Sequence, residues 1–173
     1  WQAGHLFVQM RNSNDVVRKE AAYGIVVKLA DTDEELIKPA LIELRACLDR
    51  EKVADVQAVL LEGWGIAKYT NDEQRAEAEA ILIDESKRGQ PAKILGATKA
   101  LEALIRLAPR RPVSDAARVR LRELALYGNR VQSADVQNVD ARIPRVAMMA
   151  LQAARDTHVA TLRGASDQGD WQV

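Results

Sequence analysis

The residues best suited to binding a ligand are arginines in the second half of the chain. Arg118 and Arg122 are four residues apart in a predicted helix, so their side chains share one face. More arginines occupy the adjacent connections: Arg110, Arg111 and Arg130. A row of guanidinium groups suits phosphates or carboxylates, because its fork of donors matches their oxygens. The alternative is a solvated helix face with local ion pairs, such as Arg118 with Asp115.

Trp64 is the second candidate, because it is flanked by Gly63 and Gly65 within a predicted helix. Each glycine inside a helix costs roughly 1 kcal/mol relative to alanine, so the pair needs an explanation. The glycines could let a neighbouring helix approach the indole ring closely. Alternatively, the indole could face a groove with room for a peptide or a base. Our candidate partner-binding residues are therefore Arg118, Arg122, Arg111 and Trp64.

No group of residues in the sequence has the composition of a reaction centre. The only histidines, His5 and His158, are far apart in the chain, and Cys47 is the only cysteine. A catalytic site needs a nucleophile, a base and an orienting group, and a metal site needs ligands at suitable spacings. Helix capping explains the acidic run 31–35 better than cation binding does. We therefore expect no enzymatic activity and no catalytic, metal-binding or cofactor-binding residue.

Composition indicates a soluble helical protein. The 173 residues are 47% hydrophobic, 29% charged and only 4% aromatic. No apolar run approaches the roughly 20 residues that span a bilayer. The chain does not begin with Met, so we expect the natural N-terminus to be missing, and the cytoplasm and a bacterial envelope space both stay open. The net charge of zero hides a split: residues 1–86 hold 10 basic and 17 acidic residues, and residues 87–173 hold 15 and 8.

Apolar residues recur at three- and four-residue steps along most of the chain, which predicts helices almost throughout. After the end of an earlier helix in 1–12, the predicted helices span roughly 15–30, 34–50, 53–69, 73–87, 92–108, 116–127, 141–155 and 157–165. Pro39 should kink its helix or mark a late start. Residues 129–139 are the expected exposed loop. The inward face of the predicted helix 73–87 should carry Ala76, Ala80, Ile81 and Ile83. The inward face of the predicted helix 116–127 should carry Val119, Leu121, Leu124 and Ala125.

Periodicity also predicts which apolar side chains form the core. We expect these residues to be buried: Ala22, Ile25, Leu41, Leu44, Leu101, Leu104, Leu124, Ala147 and Leu151. Cys47 should be a small core residue rather than a reactive thiol. The end near Trp171 should be poorly ordered.

A short spacing recurs at the start of several segments. Asn14-x-x-Val17 and Asp140-x-x-Ile143 open helices, and Asp170-x-x-Val173 repeats the spacing at the end of the chain. Such repetition of helical pairs is typical of α-solenoids. Residues 14–31 resemble the first helix of a HEAT repeat, with matches at Asn14, Val17, Arg18, Ala21, Ala22 and Leu29. Residues 140–173 resemble the short HEAT variety common in bacteria, through Asp140, Ile143, Arg145, Ala147, Ala150, Leu151, Asp156, Val159, Leu162, Asp170 and Val173.

The resemblance implies an all-α fold, namely a right-handed α-solenoid of stacked antiparallel helix pairs over residues 1–173. Its expected parts are a partial repeat 1–12, helix pairs 14–52, 53–88 and 90–128, a short repeat 140–167 and a truncated repeat 170–173. The truncated copy suggests a piece of a longer array. Because second helices line the concave surface of HEAT-like solenoids, the resemblance implies that Arg118 and Arg122 face that groove. An irregular helical bundle is the alternative.

Three functions follow as hypotheses. The leading one is a non-enzymatic scaffold or protein–protein interaction module, whose partner is another protein or neighbouring repeats of the same chain. The second is nucleic-acid binding, as in the HEAT-like DNA glycosylases, which use a basic concave groove with Trp and Asp. Zero net charge and the position of Trp64 in the acidic half count against it. The third is a repeat region of a larger enzyme whose catalytic domain lies outside this chain.

Overall fold

The structure, a computed structural model of the chain, describes residues 3–128 and 140–169. Regular secondary structure in these residues is entirely α-helical, so the all-α prediction is confirmed. The helices are α1 (Gly4–Gln9), α2 (Asp15–Ala30), α3 (Glu34–Arg50), α4 (Ala54–Ile66), α5 (Asp72–Glu85), α6 (Pro91–Arg106), α7 (Asp115–Ala125) and α8 (Arg142–Gly169). No helix within the described ranges is long and apolar enough to cross a membrane.

Helix boundaries follow the capping residues. The side chains of Asn14, Asn71 and Ser114 accept hydrogen bonds from backbone N–H groups at the starts of α2, α5 and α7. At the other ends, Gly89 and Gly128 adopt φ values of 95° and 88°, which suit glycine after a helix. The predicted bounds of α2 and α3 are confirmed, and those of α4 to α7 hold within three residues. The expected loop 129–139 and the end near Trp171 lie outside the described residues.

The predicted break near Asp156 is wrong, because α8 is one helix of 28 residues. No glycine or proline occurs between 145 and 163 to stop it. Asp156 accepts a hydrogen bond from Nε2 of Gln152 at 3.0 Å, one helical turn earlier, and Thr157 is buried. Polar residues alone are therefore insufficient to end a helix whose neighbours retain helical propensity.

The predicted core is largely confirmed. Of the nine residues expected to be buried, seven are, and Leu41 and Leu151 are half-buried against the core. Cys47 is buried, as expected. Pro39 lies within α3, which already begins at Glu34, so it does not mark a late start.

The predicted inward face of α5 is wrong. Ala76 and Ala80 are exposed and Ile81 and Ile83 are only half-buried. The buried residues of this helix are instead Arg75, Ala78, Glu79, Leu82 and Glu85. Apolar periodicity predicted the wrong buried face of α5 because Arg75, Glu79 and Glu85 are buried there with partners on neighbouring segments. In α7, Leu121 and Leu124 are buried as predicted, but Val119 is exposed and Ala125 is half-buried.

The helices pack in a regular order. Helices α2, α4, α6 and α8 contact one another in succession, and α1, α3, α5 and α7 each pack on the helix that follows. The approach of α4 to α6 is especially close, because a Cβ atom on Gly96 would lie 2.5 Å from the Cα of Ala58. A Cβ on Gly65 would lie 2.5 Å from the carbonyl oxygen of Ala100. Backbone contact between these helices therefore depends on glycine at both positions.

Candidate functional site

A groove between α3 and α5 is a candidate binding surface. It encloses about 370 Å³. Its lining is partly apolar, with Leu41 and Ile42 from α3, Ala78 and Ile81 from α5, and Trp64 from α4. Ile42 is 64% exposed, so its apolar surface is open to a partner. A groove with apolar side chains at its base can bury complementary apolar groups of a partner.

The two walls of the groove carry opposite charges. Lys38 and Arg45 lie on the α3 side, and Glu73 and Glu77 lie on the α5 side. Lys38, Glu73 and Glu77 are solvent-exposed. Arg45 is fixed by ion pairs to Asp49 at 3.2 Å and to Glu85 at 3.3 Å. A partner therefore meets a basic wall and an acidic wall across one apolar base.

The packing of the helices explains why this groove is open. Helix α3 packs mainly on α4, and α5 packs mainly on α6, so their side chains do not close the space between them. A buried amide oxygen also lies at this surface, since Oε1 of Gln74 has no hydrogen-bond partner among the described residues. An unpaired buried acceptor is uncommon and costs free energy until a donor reaches it.

Trp64 does not present its indole to a ligand. It is only 1% exposed and belongs to the hydrophobic core, although it lies at the base of the groove. The interpretation of Trp64 as a groove-facing ring is therefore corrected. The structure fits the other interpretation, in which the flanking glycines let neighbouring helices approach closely. A Cβ on Gly63 would lie 2.6 Å from Cδ2 of Leu44, and a Cβ on Gly65 would contact α6.

The predicted arginines occupy separate surroundings. Arg118 is half-buried and Arg122 is exposed, one turn apart on α7. Arg111 lies in the connection before α7 and forms an ion pair with Asp72 at the start of α5. Neither Arg118 nor Arg122 forms an ion pair within residues 3–128 and 140–169. Trp64 lies in the hydrophobic core on α4, whereas the three arginines lie on α7 and in the connection before it. The four predicted residues therefore do not form one site.

Sequence reasoning missed an arginine that joins two helices. Arg120 donates from Nε to the hydroxyl of Ser86 at 2.9 Å and from Nη2 to the Ser86 carbonyl at 2.8 Å. Its Nη1 also pairs with Glu123 at 2.7 Å. Ser86 is the C-cap of α5, so this guanidinium neutralises a helix C-terminus. The sequence spacing of Arg118, Arg120 and Arg122 does not show that Arg120 is the one that contacts another helix.

A second missed feature is a charge cluster centred on the buried Glu85, which we call the Glu85 cluster. Lys93 Nζ lies 2.5 Å from Oε2 of Glu85, and Arg88 Nη2 lies 2.8 Å from Oε1. Arg45 completes the cluster at 3.3 Å. Burial raises the pKa of Glu85, but hydrogen bonds from Lys93 and Arg88 outweigh it and hold the pKa below its usual range. The cluster ties α3, α5 and α6 together.

Cys47 has the surroundings of a structural thiol. It is buried, and burial raises the pKa of its thiol although Arg50 lies nearby and acts in the other direction. A thiol with a raised pKa is a poor nucleophile at neutral pH. No group of three His, Cys, Asp or Glu side chains suited to a metal ion occurs in the described part of the chain.

Comparison with known proteins adds no assignment: no protein-family model, no curated protein and no solved structure matches the chain.

Proposed function

We propose that this chain is a HEAT-like α-solenoid segment that acts as a non-enzymatic protein-interaction module. The groove between α3 and α5 is its binding surface. The single observation that carries the proposal is this groove, with an apolar base between walls of opposite charge. The proposed function needs no catalytic group, because binding another protein requires only a suitable surface.

The order of helix packing supports a solenoid. In stacked helix pairs, helices of one layer contact the next helix of the same layer, as α2, α4, α6 and α8 do here. The closest partner of α3, α5 and α7 is in each case the helix that follows. The helix pairs of the proposed solenoid are then α3 with α4, α5 with α6 and α7 with α8. Each begins one helix later than the pairs expected from the sequence, which combined α2 with α3, α4 with α5 and α6 with α7.

This pairing moves Arg118 and Arg122 to the other side of a HEAT-like solenoid. The second helix of each pair becomes α4, α6 or α8, and second helices line the concave surface in the HEAT family. Helix α7 is then a first helix, so its arginines lie on the convex side.

The occupant that fits the groove is an amphipathic helix of another protein. Its apolar face would cover Leu41, Ile42 and Ile81, which would otherwise remain partly exposed to water. Acidic side chains on one flank would meet Lys38 on the α3 wall, and basic side chains on the other would meet Glu77 on the α5 wall. The opposite walls therefore fix the direction in which such a helix lies.

A selection experiment tests the groove. Peptides selected from a random displayed library against the whole chain should carry apolar residues at helical spacing, and Ile42→Asp should weaken their binding about tenfold or more. A central apolar contact contributes about this much to an interface, and a buried carboxylate adds a desolvation cost. Titration by fluorescence anisotropy measures the change.

Val16→Asp is the matched control, because Val16 is 60% exposed and lies in α2, outside the groove. It should leave peptide affinity unchanged. Peptides that bind the wild type and Ile42→Asp equally well would place the binding surface elsewhere.

Nucleic-acid binding is the competing function, and we expect it to be weak. Arg118 and Arg122 could contact about two phosphates, which corresponds to a slope of about −2 in log affinity against log salt. Arg111 is already paired with Asp72, and the net charge of the chain is zero. Labelled single-stranded and duplex DNA should therefore bind no more tightly than the non-specific range at physiological salt. Submicromolar binding at physiological salt that is lost in Arg118→Ala with Arg122→Ala would contradict the interaction-module proposal.

A further inference from the structure

A second cavity lies where the C-terminal ends of α4 and α6 meet. It encloses about 400 Å³. Most of its lining is apolar and comes from three helix ends and their connections: Ala30, Ile66, Ala67, Leu104, Leu107 and Ala108. Helix α5 contributes one charged side chain to the lining, Arg75. A guanidinium in an apolar cavity is the feature that calls for an explanation.

Arg75 is buried without an adequate set of partners. It is 7% exposed, and its Nε is buried with no hydrogen-bond partner among the described residues. Its terminal nitrogens donate only long hydrogen bonds, from Nη2 to the Leu104 carbonyl at 3.3 Å and from Nη1 to the Pro112 carbonyl at 3.4 Å. Arg120, by comparison, reaches the carbonyl of Ser86 at 2.8 Å.

The nearest acidic group does not neutralise Arg75 by direct contact. Glu79 lies one turn further along α5 and accepts a hydrogen bond from the Ser114 hydroxyl. No ion pair joins Glu79 to Arg75 in the described part of the chain, although the carboxylate attracts the guanidinium through space. Tyr69 is occupied too, because its hydroxyl donates to the Trp64 carbonyl at 2.7 Å. Burying a cation this way is costly unless an anion compensates it.

We propose that this cavity binds a small carboxylate with an apolar chain, with the carboxylate on the guanidinium of Arg75. The apolar walls cover the chain, and the terminal N–H groups of Arg75, which make only long hydrogen bonds to protein carbonyls, meet the carboxylate oxygens. A single negative charge matches the single buried cation, whereas a phosphate dianion would leave excess charge in an apolar site. Lys68 lies at the same cavity, but it is exposed and paired with Asp31 at 3.6 Å, so Arg75 decides the specificity.

Octanoate and octan-1-ol test the proposal, because they share an alkyl chain and differ in the head group. Isothermal titration of the whole chain should show octanoate binding at least about tenfold more tightly, since a charge-assisted hydrogen bond outweighs a neutral one by this much. Arg75→Met should remove the difference. Equal binding of the two compounds, or no heat of octanoate binding in the millimolar range, would overturn the proposal.

Three further variants separate recognition from folding. Arg120→Met also removes a guanidinium that joins two segments, but Arg120 does not line this cavity, so octanoate affinity should be unchanged. Leu107 lines the cavity and is about half exposed, so Leu107→Asp and Leu107→Asn should both fold normally and both lose an apolar contact with the alkyl chain, but the Asp variant should weaken octanoate further by repulsion. Equal octanoate affinity of the Asp and Asn variants would place the carboxylate elsewhere and overturn the assignment.

Discussion

Glu85→Gln should lower the free energy of unfolding by about 3–5 kcal/mol, a large part of the stability of an ordinary domain. The side chain of Glu85 is 6% exposed, and it holds the ammonium of Lys93, whose side chain is 7% exposed. Glutamine keeps the shape but leaves the buried ammonium without a counter-charge. Urea unfolding followed by far-ultraviolet circular dichroism measures the loss.

Asp84→Asn is the matched control for this variant. Asp84 precedes Glu85 in α5 and pairs with Arg88 at 2.9 Å, but both side chains are more than half exposed. Exposed pairs contribute about 0–1 kcal/mol, so the control should change little. Replacing both Glu85 and Lys93 with methionine should recover most of the stability, because no buried charge is then left unpaired. A loss equal to that of Glu85→Gln in the control would assign the effect to surface charge instead.

The same cluster gives the stability of the chain an acid dependence. The pKa of Glu85 is lower in the folded chain than in the unfolded one, where it is about 4.3. The contribution of Glu85 to the free energy of unfolding is therefore fully present at pH values above its unfolded pKa. It is lost as the pH falls through the lower pKa of the folded chain. Glu51 acts in the same direction, because Arg18 and backbone N–H groups overcome the effect of burial on its pKa. Unfolding measured between pH 6 and pH 3 should show a shallower loss in Glu85→Gln than in the wild type.

Sequence periodicity predicted the helices well because capping residues and apolar steps are local. Asn14, Asn71 and Ser114 each start a helix with their own side chain, so no distant contact is needed to place those boundaries. The long helix α8 was missed for the opposite reason. Its polar residues near 156 permit a turn, but Ala154 and Thr157 beside them are buried and α8 packs on α6 and α7, and that packing is not local.

The candidate site could not be read from the sequence because it depends on what lies opposite each residue. Arg118 and Arg120 are both arginines in the same helix, yet only Arg120 reaches Ser86, 34 positions earlier. In α5, periodicity favoured alanine and isoleucine as the inward face, whereas the partners of Arg75 and Glu79 lie near α7. The flanking glycines drew attention to Trp64, but the same pattern fits a ring in the core and a ring in a groove.

Gly96→Ala should lower the free energy of unfolding by about 2 kcal/mol, although alanine is the better helix former by roughly 1 kcal/mol. The added Cβ would lie 2.5 Å from the Cα of Ala58, and a backbone atom can move aside only if α4 and α6 separate. Separation loosens contacts along the whole interface, which lies at the centre of the packed helices. Thermal and urea unfolding of the purified variant measure the change.

Gly65→Ala and Gly4→Ala show whether the close approach of α4 and α6 is the cause. Gly65 faces the backbone of Ala100 in the same interface, so its variant should be destabilised similarly. The double variant of Gly65 and Gly96 should lose less than the sum, because the first methyl already separates the helices for the second. A Cβ at Gly4 meets nothing within 4 Å, so Gly4→Ala should be neutral or slightly stabilising. If Gly96→Ala behaved like Gly4→Ala, the backbone contact would not determine how α4 and α6 pack.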